Sequence, residues 1–246
     1  MVRYQLLIEY VGTNFRGWQI QKKGSTIQGL IQEKISKLLK EKIILNGSGR
    51  TDTGVHAIEQ SAHFDCNKEI IDLTKFLKSI NHFLNEKNIA ILEIKKRSKK
   101  FHSRFSAKQR IYKYVIFNQI SSPIIEKKRG WHVRKPLDIK IIKKGAKKLV
   151  GTNDYSTFRS SSCHAKSPIK TIKSIKIKSS KNRIEIEFKS QSFLQQQVRS
   201  MVGCLKYLGE KKWNLKTFDK VFKSKKRILC APPAPPEGLF LVRIIY

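Results

Sequence analysis

Gly47-Ser48-Gly49-Arg50-Thr51-Asp52-Thr53-Gly54-Val55-His56-Ala57 is a glycine-rich turn carrying a guanidinium and a carboxylate two residues apart. Residues 42–48 before it and 57–65 after it are predicted strands, so the turn joins two neighbouring strands. Upstream, Ile27, Leu30, Ile31, Ile35, Leu38 and Leu39 recur at helical spacing behind Ser25-Thr26-Ile27-Gln28, which resembles a capping box. Residues 3–10 alternate and stop before Gly12, as a strand does. Downstream, residues 72–84 are predicted as a helix and 89–96 as a strand. The order is β-α-β-β-α-β, the unit of a ferredoxin-like half.

The rest of the chain repeats that order without repeating the sequence. Residues 110–117 are a predicted strand and 138–150 a helix. Residues 169–179 and 183–189 form a hairpin with Ile184, Ile186 and Phe188 on one face. Residues 193–208 form a helix closed by Gly209, followed by a short helix over 214–222 and a last strand over 239–246. The expected fold class is α+β (mixed α/β), with two ferredoxin-like halves at 1–104 and 105–246. The basic run at 95–100 marks their boundary.

The chain has 52 Lys plus Arg against 18 Asp plus Glu, a net charge of +34. Such a charge calls for a polyanionic partner, of which nucleic acid is the usual one. Lysines outnumber arginines 39 to 13 among abundant Ile and Asn, the pattern of an A+T-rich genome, so part of the charge is a solvated coat. Arginines are the sharper signal, because lysine cannot copy a planar fork. Residues 1–104 carry +9 and residues 105–246 carry +25. A polyanionic partner is therefore expected to bridge both halves.

Cys66, Cys163, Cys204 and Cys230 have neither CxxC nor zinc-ligand spacing and read as reduced intracellular thiols. The six histidines form no metal motif, so no metal site is expected. Residues 1–10 include Arg3 and Glu9 and lack a signal-peptide core, and no apolar run approaches the ~18 residues of a membrane span. A soluble, cytoplasmic protein without membrane association is expected.

Residue chemistry alone leaves Asp52 two roles. It closes a turn through an Asx-type hydrogen bond, or it serves as an ionised nucleophile beside Arg50. The surrounding motifs bear on that choice. Residues 49–57 resemble the G-R-T-D-x-G-V-H-A signature of the TruA family of tRNA pseudouridine synthases. Tyr10, Gly12, Phe15, Gly17-Trp18-Gln19 and Gln28 resemble its amino-terminal pattern. Phe101-His102-Ser103-Arg104-Phe105-Ser106-Ala107, Tyr112-Lys113-Tyr114, Phe158-Arg159, residues 198–203 and residues 234–239 follow in the family's order.

The resemblance implies two similar halves whose sheets join across a central RNA-binding cleft. It implies isomerisation of uridine to pseudouridine at positions 38, 39 and 40 of the tRNA anticodon stem-loop, by a homodimer. The N1–C1′ bond breaks, the base turns, and C5 takes the place of N1. No redox step or group donor enters, so no cofactor is expected.

Asp52 is then the nucleophile, attacking C1′ or acting on the base. Arg50 displaces the target base or clamps a phosphate. Tyr112 either stacks on the base and relays the C5 proton or is a core residue of its strand, as Tyr114 is expected to be. Arg199 lies beside an apolar helix seam, where a guanidinium needs a partner, and the resemblance gives it Asp52. Leu239 matches the apolar residue that lines the base pocket. Arg104, Arg110, Arg159 and Phe158 are RNA-positioning candidates with ordinary surface or core roles as alternatives, and His56, His63 and His102 read as structural. Gln195-Gln196-Gln197 departs from a more His- or Met-containing run in many relatives and leaves the local RNA contacts open.

Three competing readings remain. A non-catalytic basic RNA-binding protein fits the composition but ignores the Asp52 loop. A glycosidase-like hydrolase would need a pair of carboxylates. A pseudouridine synthase for another RNA would share the whole motif set.

Overall fold

The computed structural model describes all 246 residues. Its elements are β1 (Val2–Tyr10), α1 (Ile27–Leu39), β2 (Asn46–Gly47), β3 (His56–Cys66), α2 (Leu73–Leu84), β4 (Ile89–Arg97), β5 (Gln109–Asn118), β6 (Trp131–Val133), α3 (Ile139–Lys148), β7 (Gly151–Asp154), β8 (Ile169–Ser180), β9 (Arg183–Ser190), α4 (Gln197–Gly209), α5 (Leu215–Lys223) and β10 (Leu239–Ile245). This is the mixed α+β class expected from the sequence.

The chain divides into two compact units, Met1–Lys108 with Phe240–Tyr246, and Gln109–Leu239. The expected boundary after residue 104 falls four residues before this division, and the last strand, expected in the second half, packs in the first unit. Phe240 and Leu241 pair in parallel with His56 and Ala57. The Ile245 carbonyl accepts from the Lys108 amide at 2.8 Å. The Tyr246 hydroxyl reaches Ser61 Oγ and the Ser103 carbonyl, both at 2.8 Å. Divided this way, the first unit holds 21 basic and 10 acidic residues (+11), and the second 31 and 8 (+23).

In the first unit β1 lies antiparallel between β3 and β4, and β3 also pairs with β2 and β10. The order β4-β1-β3-β2 is the ferredoxin-like arrangement. The β1 register sets Tyr4, Leu6, Ile8 and Tyr10 into the core. Packing of α2 on β4 buries Phe76, Ile80 and Leu84, each contributing about 1.5–3 kcal/mol.

The predicted strand over 42–48 is corrected to two residues, Asn46–Gly47. Polar side chains of α1 take the backbone groups a ladder would use. The Ile43 amide donates to Ser36 Oγ (3.1 Å), the Leu45 amide donates to Gln32 Oε1 (3.0 Å), and Gln28 Nε2 donates to the Leu45 carbonyl (2.8 Å). The predicted capping box also shifts by one. Thr26 is the N-cap, accepting from the Gly29 amide, while Gln28 braces the 42–48 segment.

In the second unit β9 lies antiparallel between β5 and β8, and β7 extends the edge. Ile184, Ile186 and Phe188 are buried, as predicted. Two strands escaped prediction, β6 and β7, because three or four residues show no period. The helix predicted to begin at 193 begins at Gln197, although its apolar spacing runs back to Leu194. Gln196 is left-handed (φ 61°), and Gln197 Oε1 accepts from the Leu194 amide at 2.8 Å, so residues 193–196 form a turn.

Gly209 does not close α4 but is its last helical residue. A Cβ there would stand 2.6 Å from Ile142 Cδ1, and one on Gly145 would stand 2.3 Å from Leu208 Cδ1. The two glycines let α3 and α4 touch.

Candidate active site

The Asp52 loop is clamped from below by residues 10–18. Residues 52–55 make a β-turn, closed by the Val55 amide donating to the Asp52 carbonyl at 3.1 Å, with Gly54 at φ +81°. Gly17, at φ +83°, faces the loop so closely that a Cβ would lie 2.6 Å from the Thr51 carbonyl oxygen and 3.2 Å from the Asp52 carbonyl carbon. A Cβ on Gly12 would overlap the Val55 carbonyl oxygen at 1.9 Å. The Trp18 amide donates to the Thr51 carbonyl (3.1 Å), and Tyr10 Oη lies 2.8 Å from Thr51 Oγ1. Gln60 Nε2 donates to the Gly49 carbonyl at 2.8 Å. Thr51 and Val55 are buried by these contacts, Asp52 between them is half-buried, and Arg50 is exposed.

The neighbouring carboxylates are engaged elsewhere. Glu59 pairs with Arg243 at 3.2 Å, and Asp65 takes a two-pronged contact from Arg3 at 2.7 and 2.8 Å. Asp52 is the single carboxylate of residues 47–57.

His56 ends the loop. Its Nδ1 accepts from the Gly12 amide at 3.1 Å, which puts the imidazole proton on Nε2, and its ring stacks on Phe240 at 4.8 Å. His63, seven residues further along β3, lies 2.8 Å from Ser103 Oγ. Burial, and then the charges of His102 and Arg3, push its pKa down to about 4, so it is neutral at physiological pH. Both are structural, in line with the sequence reading. On the same loop as Ser103, the Arg104 guanidinium lies over the exposed Phe105 ring at 5.5 Å.

In the second unit Tyr112 is 8% exposed on β5 and meets Phe193 edge-on at 5.3 Å. Tyr114 is fully buried, its hydroxyl donating to the Pro235 carbonyl at 2.7 Å, and burial raises its pKa well above the ordinary tyrosine range. It is the core residue the sequence suggested. Arg199 Nε donates to the Ala234 carbonyl (2.7 Å), and the Ala234 amide returns a bond to the Arg199 carbonyl (2.9 Å). Arg199 therefore holds the Pro-rich segment at 231–236.

Leu239, 6% exposed, opens β10 directly after that segment. Arg110 Nη1 donates to the Gln191 carbonyl. Arg159 Nη2 donates to the carbonyls of Cys163 and Ala165, so this guanidinium orders its own loop. Phe158 is a core residue packed against Tyr155 and Phe222.

The roles of Tyr10, Gly12, Gly17 and Trp18 as the bed of the loop are not visible in sequence spacing. More than thirty residues separate them from Asp52. Their signal was their company: they occur as one ordered set with the loop.

A family model described as tRNA pseudouridine synthase matches residues 6–106 and 146–246. The chain is 72% identical over 246 residues to the tRNA pseudouridine synthase A of Pelagibacter ubique, with 100% of both chains covered. It is 39% identical to that of Parvibaculum lavamentivorans, again over 100% of both. It is 37% identical to that of Rhodospirillum rubrum, covering 99% of this chain and 87% of the relative.

Proposed function

We propose, on the premise that this chain belongs to the tRNA pseudouridine synthase family, that it isomerises uridine to pseudouridine in tRNA with Asp52 as nucleophile. The observation that carries the assignment is the clamped loop. A half-buried carboxylate sits between two buried residues, on a backbone held by a glycine bed and by the Tyr10 hydroxyl. A nucleophile so placed loses little freedom on attack, which is how positioning lowers a barrier.

The target uridines are those at positions 38, 39 and 40 of the anticodon stem-loop, and the working form is a cytoplasmic homodimer. Arg50, exposed beside the nucleophile, displaces the base; a uridine at the edge of a loop costs only a few kcal/mol to flip. Tyr112 supplies the stacking surface, worth roughly 1–3 kcal/mol per base, and Leu239 the apolar wall. Arg199 keeps Asp52 ionised. Arg104, Arg110 and the +23 surface of the second unit hold the phosphates, and Arg159 acts through the loop it orders.

The test is tritium release from tRNA labelled at uridine C5. Asp52→Asn keeps shape and removes the nucleophile, so turnover should vanish while tRNA affinity stays near wild type. Turnover near the wild-type rate would overturn the assignment. Binding without any release by the wild-type protein would favour the non-catalytic RNA-binding reading.

A further inference from the structure

Cys204 and Cys230 are 26 residues apart in sequence, yet their sulfurs lie 3.4 Å apart as free thiols. Cys204 is fully buried on α4, and Cys230 is half-exposed at the end of the single helical turn Arg227–Leu229. A disulfide requires about 2.05 Å, so closing the gap needs a shift of little more than an ångström. No group of His, Asp or Glu residues joins the pair as metal ligands. We propose that Cys204 and Cys230 are a peroxide-oxidisable dithiol whose closure reversibly ties α4 to the Pro-rich segment at 231–236.

The two sulfurs have different environments, which fixes the order of events. The Cys230 thiol is pulled down first by the hydrogen bond from Cys204, against burial, and then by the positive charge of Arg227. The Cys204 thiol is pushed up by the same contact and by its burial. Arg227 is held in place by its bond to Ser200 Oγ on α4 (2.9 Å). Cys230, the more exposed sulfur and the one beside Arg227, is therefore the attacking thiolate, and the buried Cys204 is the resolving thiol.

In the first step the Cys230 sulfur attacks one oxygen of hydrogen peroxide. An S–O bond forms, the O–O bond breaks, and the departing hydroxide takes the thiol proton as water, leaving a sulfenic acid. In the second step the Cys204 sulfur attacks that sulfur. The S–S bond forms, the S–O bond breaks, and a second water leaves with the Cys204 proton. Peroxide gains the two electrons that the thiol pair loses.

Cys230 immediately precedes the segment whose Ala234 exchanges two hydrogen bonds with Arg199. The disulfide would add a covalent tie to that contact. Reduced full-length protein treated with one equivalent of hydrogen peroxide should lose two thiols and about 2 Da. Peptide mapping should place the cross-link between residues 204 and 230, the Tm should rise, and dithiothreitol should reverse all of it.

Cys230→Ser should abolish the cross-link and leave Cys204 unreactive. Cys204→Ser should stop at a Cys230 sulfenic acid that dimedone traps; if that variant does not fold, Cys230→Ser still decides. Any of four results would overturn the inference: no thiol loss, first oxidation at Cys66 or Cys163, a cross-link between two chains, or over-oxidation of Cys230 with no cross-link.

Discussion

The Asp52 loop and the 231–238 segment are both laid on glycines, yet they are held in different ways. Under the loop, Gly12 and Gly17 let backbone touch backbone, and the remaining ties are short, neutral hydrogen bonds. Under the segment, Gly203 lets the Pro232 carbonyl approach α4, and Gly238 lies on the Tyr114 ring. Its other ties are a guanidinium, a phenol and a nearby thiol pair. The loop is set by shape, which conditions hardly alter. The segment is set by groups whose chemistry can change.

The sharpest way to break this contrast is to fill the glycines. Gly12→Ala would put a methyl 1.9 Å from the Val55 carbonyl oxygen, just past the Tyr10–Ala57 pair that holds β1 to β3. It should cost about 3 kcal/mol or more, the upper range for overpacking, and abolish turnover. Gly203→Ala meets Pro232 O at 2.1 Å, but the facing segment belongs to no ladder and can yield. About 1–2 kcal/mol is expected there. Equal costs by denaturant titration would show that the two beds are alike.

Acid probes an ionisable weakness of the strand that follows the loop, its buried His63. His63 has a folded pKa of about 4, below its unfolded value of about 6.5. Between those values the unfolded chain binds more protons, so stability rises with pH. The contribution is complete above pH ~6.5 and is lost as pH falls through 4. Up to about 3 kcal/mol is involved, from 1.36 kcal/mol per pKa unit. Unfolding free energies measured across that window should fall for wild type and fall less for His63→Gln.

The smallest expected effect compares two buried phenols. Tyr10→Phe removes the partner of Thr51 Oγ1, and Tyr114→Phe removes the donor to the Pro235 carbonyl. Each should cost about 1 kcal/mol, or roughly 2–4 °C in Tm. Tyr10→Phe should lower kcat as well, since Thr51 precedes Asp52, the proposed nucleophile. Tyr114→Phe should leave kcat closer to wild type. The reverse order would show that turnover depends more on the packing of the second unit than on the bed of the loop.

Helix starts were legible at three local caps, and at a fourth, Thr26, to within one residue. Asp72, Asp138 and Asn214 each accept from an amide two or three residues on, and the predicted helices begin there. The hairpin of β8 and β9 was legible because alternation reports one buried face. What failed depended on distant partners. The 42–48 segment looked like a strand until α1 claimed its amides, and Gly209 looked like a cap until Ile142 packed on it. At the site, the loop itself was legible from residue types and motif. Its bed, and the meeting of Cys204 with Cys230, exist only through tertiary approach.

Pairing of β10 with β3 also sets a schedule for synthesis on the ribosome. Gln109–Leu239 is one unbroken run and can close its own core as soon as it emerges. The first unit cannot, because its sheet waits for Phe240 and Leu241, and His56 waits for the ring it stacks on. The 131 residues between them take roughly 7–26 s to translate at 5–20 residues per second. The strand that follows the Asp52 loop is thus made early and completed late, and a nascent chain carries an unfinished Asp52 loop until the intervening unit has been built.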